Sequence, residues 1–331
     1  MNRFPGILTT ALVSILAAGC GGGGGGGSGQ PSATGDGANI SADNAEAIAG
    51  DVVTGVMETG ELGEFGALGG LPTASSFVNG SLSKTASALA SKSQGGLASR
   101  GLLQAAFGPE VTDCELAGTL TVSAKFKDPG TLTAGDEVSM SFDRCDNGEG
   151  ETVDGDLSVR IRSFQGDFLS GSFAVNATVD FKTLSFTEDD ETGTVNGDFS
   201  LSIDTTDYPT VVLSHSSDSL RLTDGNETLV LADWITTLVV DESSRPSAYS
   251  LTAEGNIDVP RHGSVSYEVL EPLTGFGDDH PDAGVLFIEG GGGGNITITA
   301  LSNTQARLEM DYEGDGIVDE TVTVTWDELD D

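Results

Sequence analysis

Phe173-Ala174-Val175-Asn176-Ala177-Thr178-Val179-Asp180-Phe181 places apolar side chains at every second position. Successive side chains of an extended strand point to opposite faces, so this run buries one face and wets the other. The same period of two recurs in Leu120-Val122-Ala124-Phe126, Val138-Met140-Phe142, Leu157-Val159-Ile161 and Phe199-Leu201-Ile203. It continues through Val265-Tyr267-Val269, Leu308-Met310-Tyr312 and Val322-Val324-Trp326. One dry face and one wet face mark antiparallel pairing, and no helical period of any length interrupts the pattern after residue 113, which argues against βαβ units. The expected fold is therefore mainly β: a large antiparallel meander of about a dozen strands over residues 113–329, with residues 263–329 as a C-terminal subdomain. A sheet of that size has to curl, into a barrel, a half-barrel or a sandwich.

A weak internal repeat accompanies the strands. AGTLTV, DGDLSV, SGSFAV, NGDFSL and EGNIDV carry their glycines at Gly118, Gly155, Gly171, Gly197 and Gly255. Asp-Gly and Asn-Gly ahead of an alternating run read as hairpin turns, with glycine supplying a positive φ. Irregular spacing between the copies excludes a solenoid or propeller.

Ahead of the β region the composition changes twice. Residues 20–37 are Gly/Ser-rich with no core-forming side chain, a flexible tether reaching roughly 20 to 25 Å on average. Residues 38–108 read as helical and low in complexity. Asp43 with Glu46 makes a capping box, and Ile48, Val52, Val53, Val56 and Met57 share one helical face. A second, thinner apolar stripe spans residues 80–93.

Residues 1–19 form an export leader. Arg3 supplies its basic end, and the apolar core from Ile7 to Ala18 is too short to cross a bilayer of roughly 30 Å. Its end, Leu16-Ala17-Ala18-Gly19-Cys20, resembles the type II signal peptide of bacterial lipoproteins. That resemblance implies cleavage before Cys20, a diacylglyceryl thioether on its sulfur and an acylated amino group. Two or more acyl chains suffice for stable anchoring, at roughly 0.8 kcal/mol per buried methylene. Gly21 in the second mature position resembles the pattern sorted to an outer membrane. With Cys20 claimed by lipid, Cys114 and Cys145 remain as a pair, which an oxidising envelope compartment joins as a disulfide. Closing the loop between them constrains the unfolded chain by roughly 3 to 4 kcal/mol.

Charge limits the partners. The chain has 14 basic against 52 acidic side chains, a net charge of −38. Such a surface repels phosphate backbones and excludes nucleic acid as a partner. Anionic lipid surfaces are repelled too, so the membrane is held through the acyl chains.

One stretch has the pattern of a cation loop: Asp311-Tyr312-Glu313-Gly314-Asp315-Gly316-Ile317-Val318-Asp319. Alternating oxygen donors around a sharp glycine turn suit Ca²⁺. The stretch resembles the DxDxDGxxD loops that bind calcium between strands in some β-propeller blades. On that resemblance Asp311, Glu313, Asp315 and Asp319 offer carboxylates and Ile317 a carbonyl. Val322 occupies the place of the EF-hand glutamate, which excludes an EF-hand. The alternative is a hairpin whose Gly-Asp-Gly turn simply joins two strands.

Other clusters carry less. Glu188-Asp189-Asp190-Glu191 reads as a solvated loop. Asp278, Asp279, His280 and Asp282 surround Pro281 in a longer one, and Gly290–Gly294 is a hairpin connection rather than a phosphate cradle. His215, His262 and His280 lie in no catalytic motif, and no G-x-S-x-G elbow is present. Residues 265–329, with DYEGDG and TWDEL, resemble segments of uncharacterised bacterial envelope lipoproteins, a resemblance that implies no activity. The sequence favours a non-catalytic envelope lipoprotein displaying a β-rich domain toward a protein or glycan partner. The alternatives are a hydrolase of extracytoplasmic polymers and a carrier with a lipid or small ligand inside the sheet.

Overall fold

The computed structural model describes residues 37–61, 106–114, 116–127, 132–146, 151–167, 171–188, 191–224, 227–259, 261–277 and 279–329. Cys20, the tether before residue 37, the stripe at residues 80–93 and Asp189-Asp190 lie outside them. The expected fold class holds: the chain is mainly β, with fourteen strands hydrogen-bonded in sequence order, so that β1 ends the order on one side and β14 on the other. By contact density it divides into two units, residues 58–251 and residues 1–57 with 252–331.

The first unit holds β1 (Ala106–Asp113), β2 (Ala117–Lys125), β3 (Glu137–Asp146), β4 (Glu151–Asp167), β5 (Ser172–Glu188), β6 (Glu191–Asp204), β7 (Thr210–Asp224) and β8 (Glu227–Asp241). Neighbours pair antiparallel throughout. Buried Met140, Leu157, Val179, Phe199 and Leu213 occupy the face that the alternation assigned to the core. Cys114 and Cys145 form a disulfide with their Cα atoms 5.5 Å apart, tying the end of β1 to β3.

Four of the repeat's glycines, Gly118, Gly155, Gly197 and Gly255, lie inside strands rather than at hairpin turns, and those of the Asp-Gly and Asn-Gly pairs show why. Asp154-Gly155 lies inside β4 and Asn196-Gly197 inside β6, each at a break in the ladder. Gly155 has φ +115° and Gly197 φ +123°. Opposite them, Arg144 in β3 and Thr183 in β5 are also left-handed, at φ 45° and 52°. The Asp154 carboxylate accepts the Arg144 backbone N–H at 3.2 Å, and the Asn196 side-chain oxygen accepts that of Thr183 at 2.8 Å. The dipeptide is thus a bulge device. Its polar residue takes the N–H that the bulge on the preceding strand frees, and its glycine makes room for the strand on the other side, Gly155 for β5 and Gly197 for β7. A Cβ on Gly155 would lie 2.2 Å from the Thr183 carbonyl oxygen, and one on Gly197 2.5 Å from that of Ser219. The extra residue resets the alternation in β3, where Phe142 and then Cys145 are buried, and in β5, where Phe181 is followed by Leu184. Gly171 by contrast does sit at a turn, between β4 and β5.

In the second unit α1 (Ala45–Glu61) lies with β10 (Gly263–Phe276), β11 (Ala283–Gly290), β12 (Asn295–Ser302), β13 (Gln305–Asp311), β14 (Glu320–Thr325) and α2 (Trp326–Leu329). β9 (Ala248–Val259) contains the point of division. Ile48, Val52, Val53 and Val56 of α1 are buried, as the helical spacing predicts. The turn into α1 is held by Ser41 and Asn44, however, rather than by Asp43 with Glu46. The Asn44 side-chain oxygen accepts the Ser41 N–H at 2.8 Å, and the Asn44 carbonyl accepts the first helical bond, from Ile48 N–H.

The helix seats close to its neighbours, and the void between Val53, Val56, Leu273, Leu286, Ile298 and Trp326 is about 10 Å³, at most one water. Upstream of α1 the chain is stapled to the same unit. Ala38 N–H donates to the Ser264 carbonyl at 2.8 Å and Gly291 N–H to the Ala38 carbonyl at 3.0 Å. Helical residues 45–57 therefore group with residues 252–331.

At the other end Trp326 is not the last residue of an alternating strand. Thr325-Trp326-Asp327-Glu328 is a capping box: Glu328 Oε2 accepts the Thr325 N–H at 2.7 Å, and Thr325 Oγ1 accepts the Glu328 N–H at 3.3 Å. The strand ends there and Trp326 turns into the core, its indole N–H donating to the Ser302 carbonyl at 3.0 Å.

Substitution tests the seam. Gly197→Ala should cost about 2 to 3 kcal/mol, from strain at a left-handed position and a forced shift of the Ser219 backbone. Asn196→Ala should cost about 1 to 2 kcal/mol by leaving the Thr183 N–H unpaired. Urea unfolding with unchanged m-value would confirm both, and losses below about 0.5 kcal/mol, the scatter of ordinary surface changes, would contradict them.

Candidate functional site

The Asp311–Asp319 stretch is a loop between β13 and β14, and its carboxylates hold the backbone. Asp311 is 4% exposed. Its Oδ1 accepts the N–H of Gly314 at 2.7 Å and of Asp315 at 3.3 Å. Its Oδ2 accepts the Gly316 N–H at 2.8 Å and the Asn295 amide at 3.4 Å. Burial opposes the charge on Asp311, but the N–H groups of Gly316, Gly314 and Asp315 and the Asn295 amide outweigh it and lower the pKa. Asp315 Oδ1 accepts the Ile317 N–H at 2.9 Å, and Asp319 Oδ2 that of Tyr312 at 2.8 Å.

The Tyr312 hydroxyl donates to Glu320 at 2.7 Å. Its pKa rises to about 12, through burial first, then the Glu320 bond and the nearby charges of Glu320, Asp319 and Glu46. Glu313 faces solvent, as does Ile317, which is 67% exposed. Among the described residues no three His, Cys, Asp or Glu side chains converge as a metal cluster. The loop thus joins Asp311, Asp315 and Asp319 to its own backbone, while each bonded carboxylate keeps lone pairs beyond those the N–H groups use.

Asp136 plays a similar part, without any sequence signal that marked it. It is buried at the turn before β3, where it accepts the backbone N–H of Lys127 and of Thr133, each at 2.8 Å. Nearer the C-terminus, His280 stacks on Trp326 with ring centroids 5.8 Å apart, Asp282 accepts from Thr274, and Asp279 from Asn303. These contacts make the Pro281 loop part of the packing around α2.

A different kind of place lies on the inner face of β6 to β8. His215 is 1% exposed, with its ring 6.2 Å from Phe199 and 6.5 Å from Trp234. Neither ring nitrogen has a hydrogen-bond partner, and neither does the buried indole N–H of Trp234. Burial depresses the His215 pKa to about 4, so the imidazole is neutral at physiological pH. Buried polar atoms are nearly always satisfied, so three orphans within one aromatic cluster call for an explanation. Sequence reading placed His215 only among the imidazoles outside catalytic motifs. Its neighbours emerge only from the pairing of β6, β7 and β8, which no local pattern reveals.

A scan of protein-family models, a search of curated proteins and a search of solved structures each found no match to this chain.

Two measurements follow. Unfolded His215 titrates near 6.5 and folded His215 near 4, so the unfolded chain binds the extra proton between those values. Stability is whole above pH 6.5 and falls by about 3 kcal/mol on acidification to pH 4. Thermal unfolding across that range should show the loss in the wild type and a smaller one in His215→Phe; parallel profiles would contradict it. For Asp311→Asn, the melting temperature should drop at neutral pH. Because the folded pKa of Asp311 is lowered, the difference should shrink as pH falls below the ordinary carboxylate value of 3.8. A constant difference would mean that the charge is not what holds the loop.

Proposed function

We propose that this chain is a lipid-anchored, non-catalytic protein of the bacterial cell envelope, held at Cys20 to the outer membrane and displaying its β-rich body to a protein or glycan partner. The observation that carries this reading is the sequence Leu16-Ala17-Ala18-Gly19-Cys20, followed at once by a glycine tether. The disulfide between Cys114 and Cys145 supports an oxidising compartment. Stapling of Ala38 to Ser264 and Gly291 supports it as well, because the body begins as soon as the tether ends. Among the described residues no helix is long and apolar enough to cross a membrane.

Calcium belongs to the same proposal as a stabiliser of the Asp311–Asp319 loop. There Asp311, Asp315 and Asp319 would turn their remaining lone pairs toward the ion, with Glu313 and the Ile317 carbonyl completing the set. A carrier function is the second reading, favoured by the unpartnered polar atoms of His215 and Trp234 on an apolar face.

Metabolic labelling with radioactive palmitate tests the anchor. The wild type should carry label and fractionate with membranes, and Cys20→Ala should lose both properties. An unlabelled wild type, or label that survives the substitution, would overturn the reading.

A further inference from the structure

Register places His215 beside Leu201 on β6 and Thr236 on β8, all three buried. Two residues along β7, Leu213 pairs with Ile203 and Leu238, and two further on Val211 pairs with Val240. These side chains share the face of His215, because strand neighbours two apart point the same way. Burial falls along them: Leu213 is buried, whereas Ile203, Leu238, Val211 and Val240 are half-buried. An apolar row thus runs from half-buried Val211 to buried His215 over roughly 13 Å, at about 3.3 Å per residue.

The closed end of the strip is polar and unsatisfied. Neutral His215 offers one ring donor and one ring acceptor, and Trp234 offers its indole N–H. A hydroxyl group complements that set, since it can accept from one nitrogen and donate to another. Apart from His215, these rows contain no basic or acidic side chain. A charged head would find no counter-ion there, and the net charge of −38 repels an anionic one further. We propose that this face binds a single-chain amphiphile with an uncharged, hydroxyl-bearing head. The polar atoms of His215 and Trp234 are closed to water in the structure, so the head enters as these side chains part, and the acyl chain lies along Leu213, Ile203, Leu238 and Val211. Monoacylglycerols have this chemistry. The site is independent of the anchor at Cys20, so either proposal can fail without the other.

Trp234 and Trp326 are the two tryptophans of the chain, and an acyl chain brominated on the carbons next to its head quenches an indole beside that head. The full chain carrying Cys20→Ser, which has no acyl group of its own, is titrated with a brominated monoacylglycerol below its micelle concentration. Saturable quenching is expected, lost in Trp234→Phe and weakened about tenfold in His215→Leu, the effect of one or two hydrogen bonds. The brominated fatty acid and alkylamine of equal chain length should bind at least tenfold more weakly. Displacement of the neutral probe N-phenyl-1-naphthylamine from the same chain, with tryptophans intact, reads the site without relying on the folding of either variant. The proposal is overturned by any of three results: no saturable quenching and no probe displacement, quenching that persists in Trp234→Phe, or equal binding of the charged homologues.

Discussion

Two side-chain oxygens, those of Asp154 and Asn196, accept the N–H groups that left-handed Arg144 and Thr183 release from the sheet. An extra residue in a strand strands a backbone donor and flips every side chain beyond it. Here the donor is taken up by the neighbouring strand, and the glycine that follows each acceptor leaves room for the next strand along. With donor and space both provided, the flip becomes useful. It returns Cys145 and Leu184 to the buried face on the far side of the seam. One apolar face is thereby kept across strands as long as 17 residues, and the disulfide, the aromatic cluster and the half-buried strip all depend on its continuity.

Buried polar groups are treated in two ways. In the unit containing β13 and β14, Asp311 is buried and bonded by backbone N–H groups, and in the other Asp136 is held likewise. A carboxylate so bonded is a structural tie, and at Asp311 these bonds outweigh burial and lower the pKa. His215 and Trp234 keep their polar atoms buried and unengaged. The Tyr267 hydroxyl and Arg307 Nε are orphaned as well, but three such atoms gather in one aromatic cluster only on the buried face of β6 to β8 among the described residues.

Much of this was legible from residue order. Period-two runs predicted the strands because antiparallel pairing with one wet face writes its geometry directly into sequence. The runs stopped being readable at Phe142 and Phe181, where an inserted residue resets the alternation, and Asp-Gly and Asn-Gly looked like turns because bulge and turn use the same left-handed glycine. The capping box at Thr325-Trp326-Asp327-Glu328 was present in the letters, yet Trp326 continued the rhythm of Val322 and Val324. The partnership of α1 with the C-terminal strands was illegible for a different reason: its apolar stripe states that it needs a partner, but not which one. The Asp311 loop was visible as a pattern of acids, whereas the surroundings of His215 are set by the register of three strands.

The seam carries the rest, so the most direct test concerns its two captured donors. Amide hydrogen exchange, followed by NMR in the native state, reports whether the Arg144 and Thr183 N–H groups are bonded or open to water. Both residues are exposed, so only their bonds to Asp154 and Asn196 can slow them. The account predicts that Thr183 exchanges as slowly as buried Phe181 and Leu184 beside it. Exchange of Thr183 and Arg144 at the rates of unstructured peptide, within an otherwise protected sheet, would contradict it.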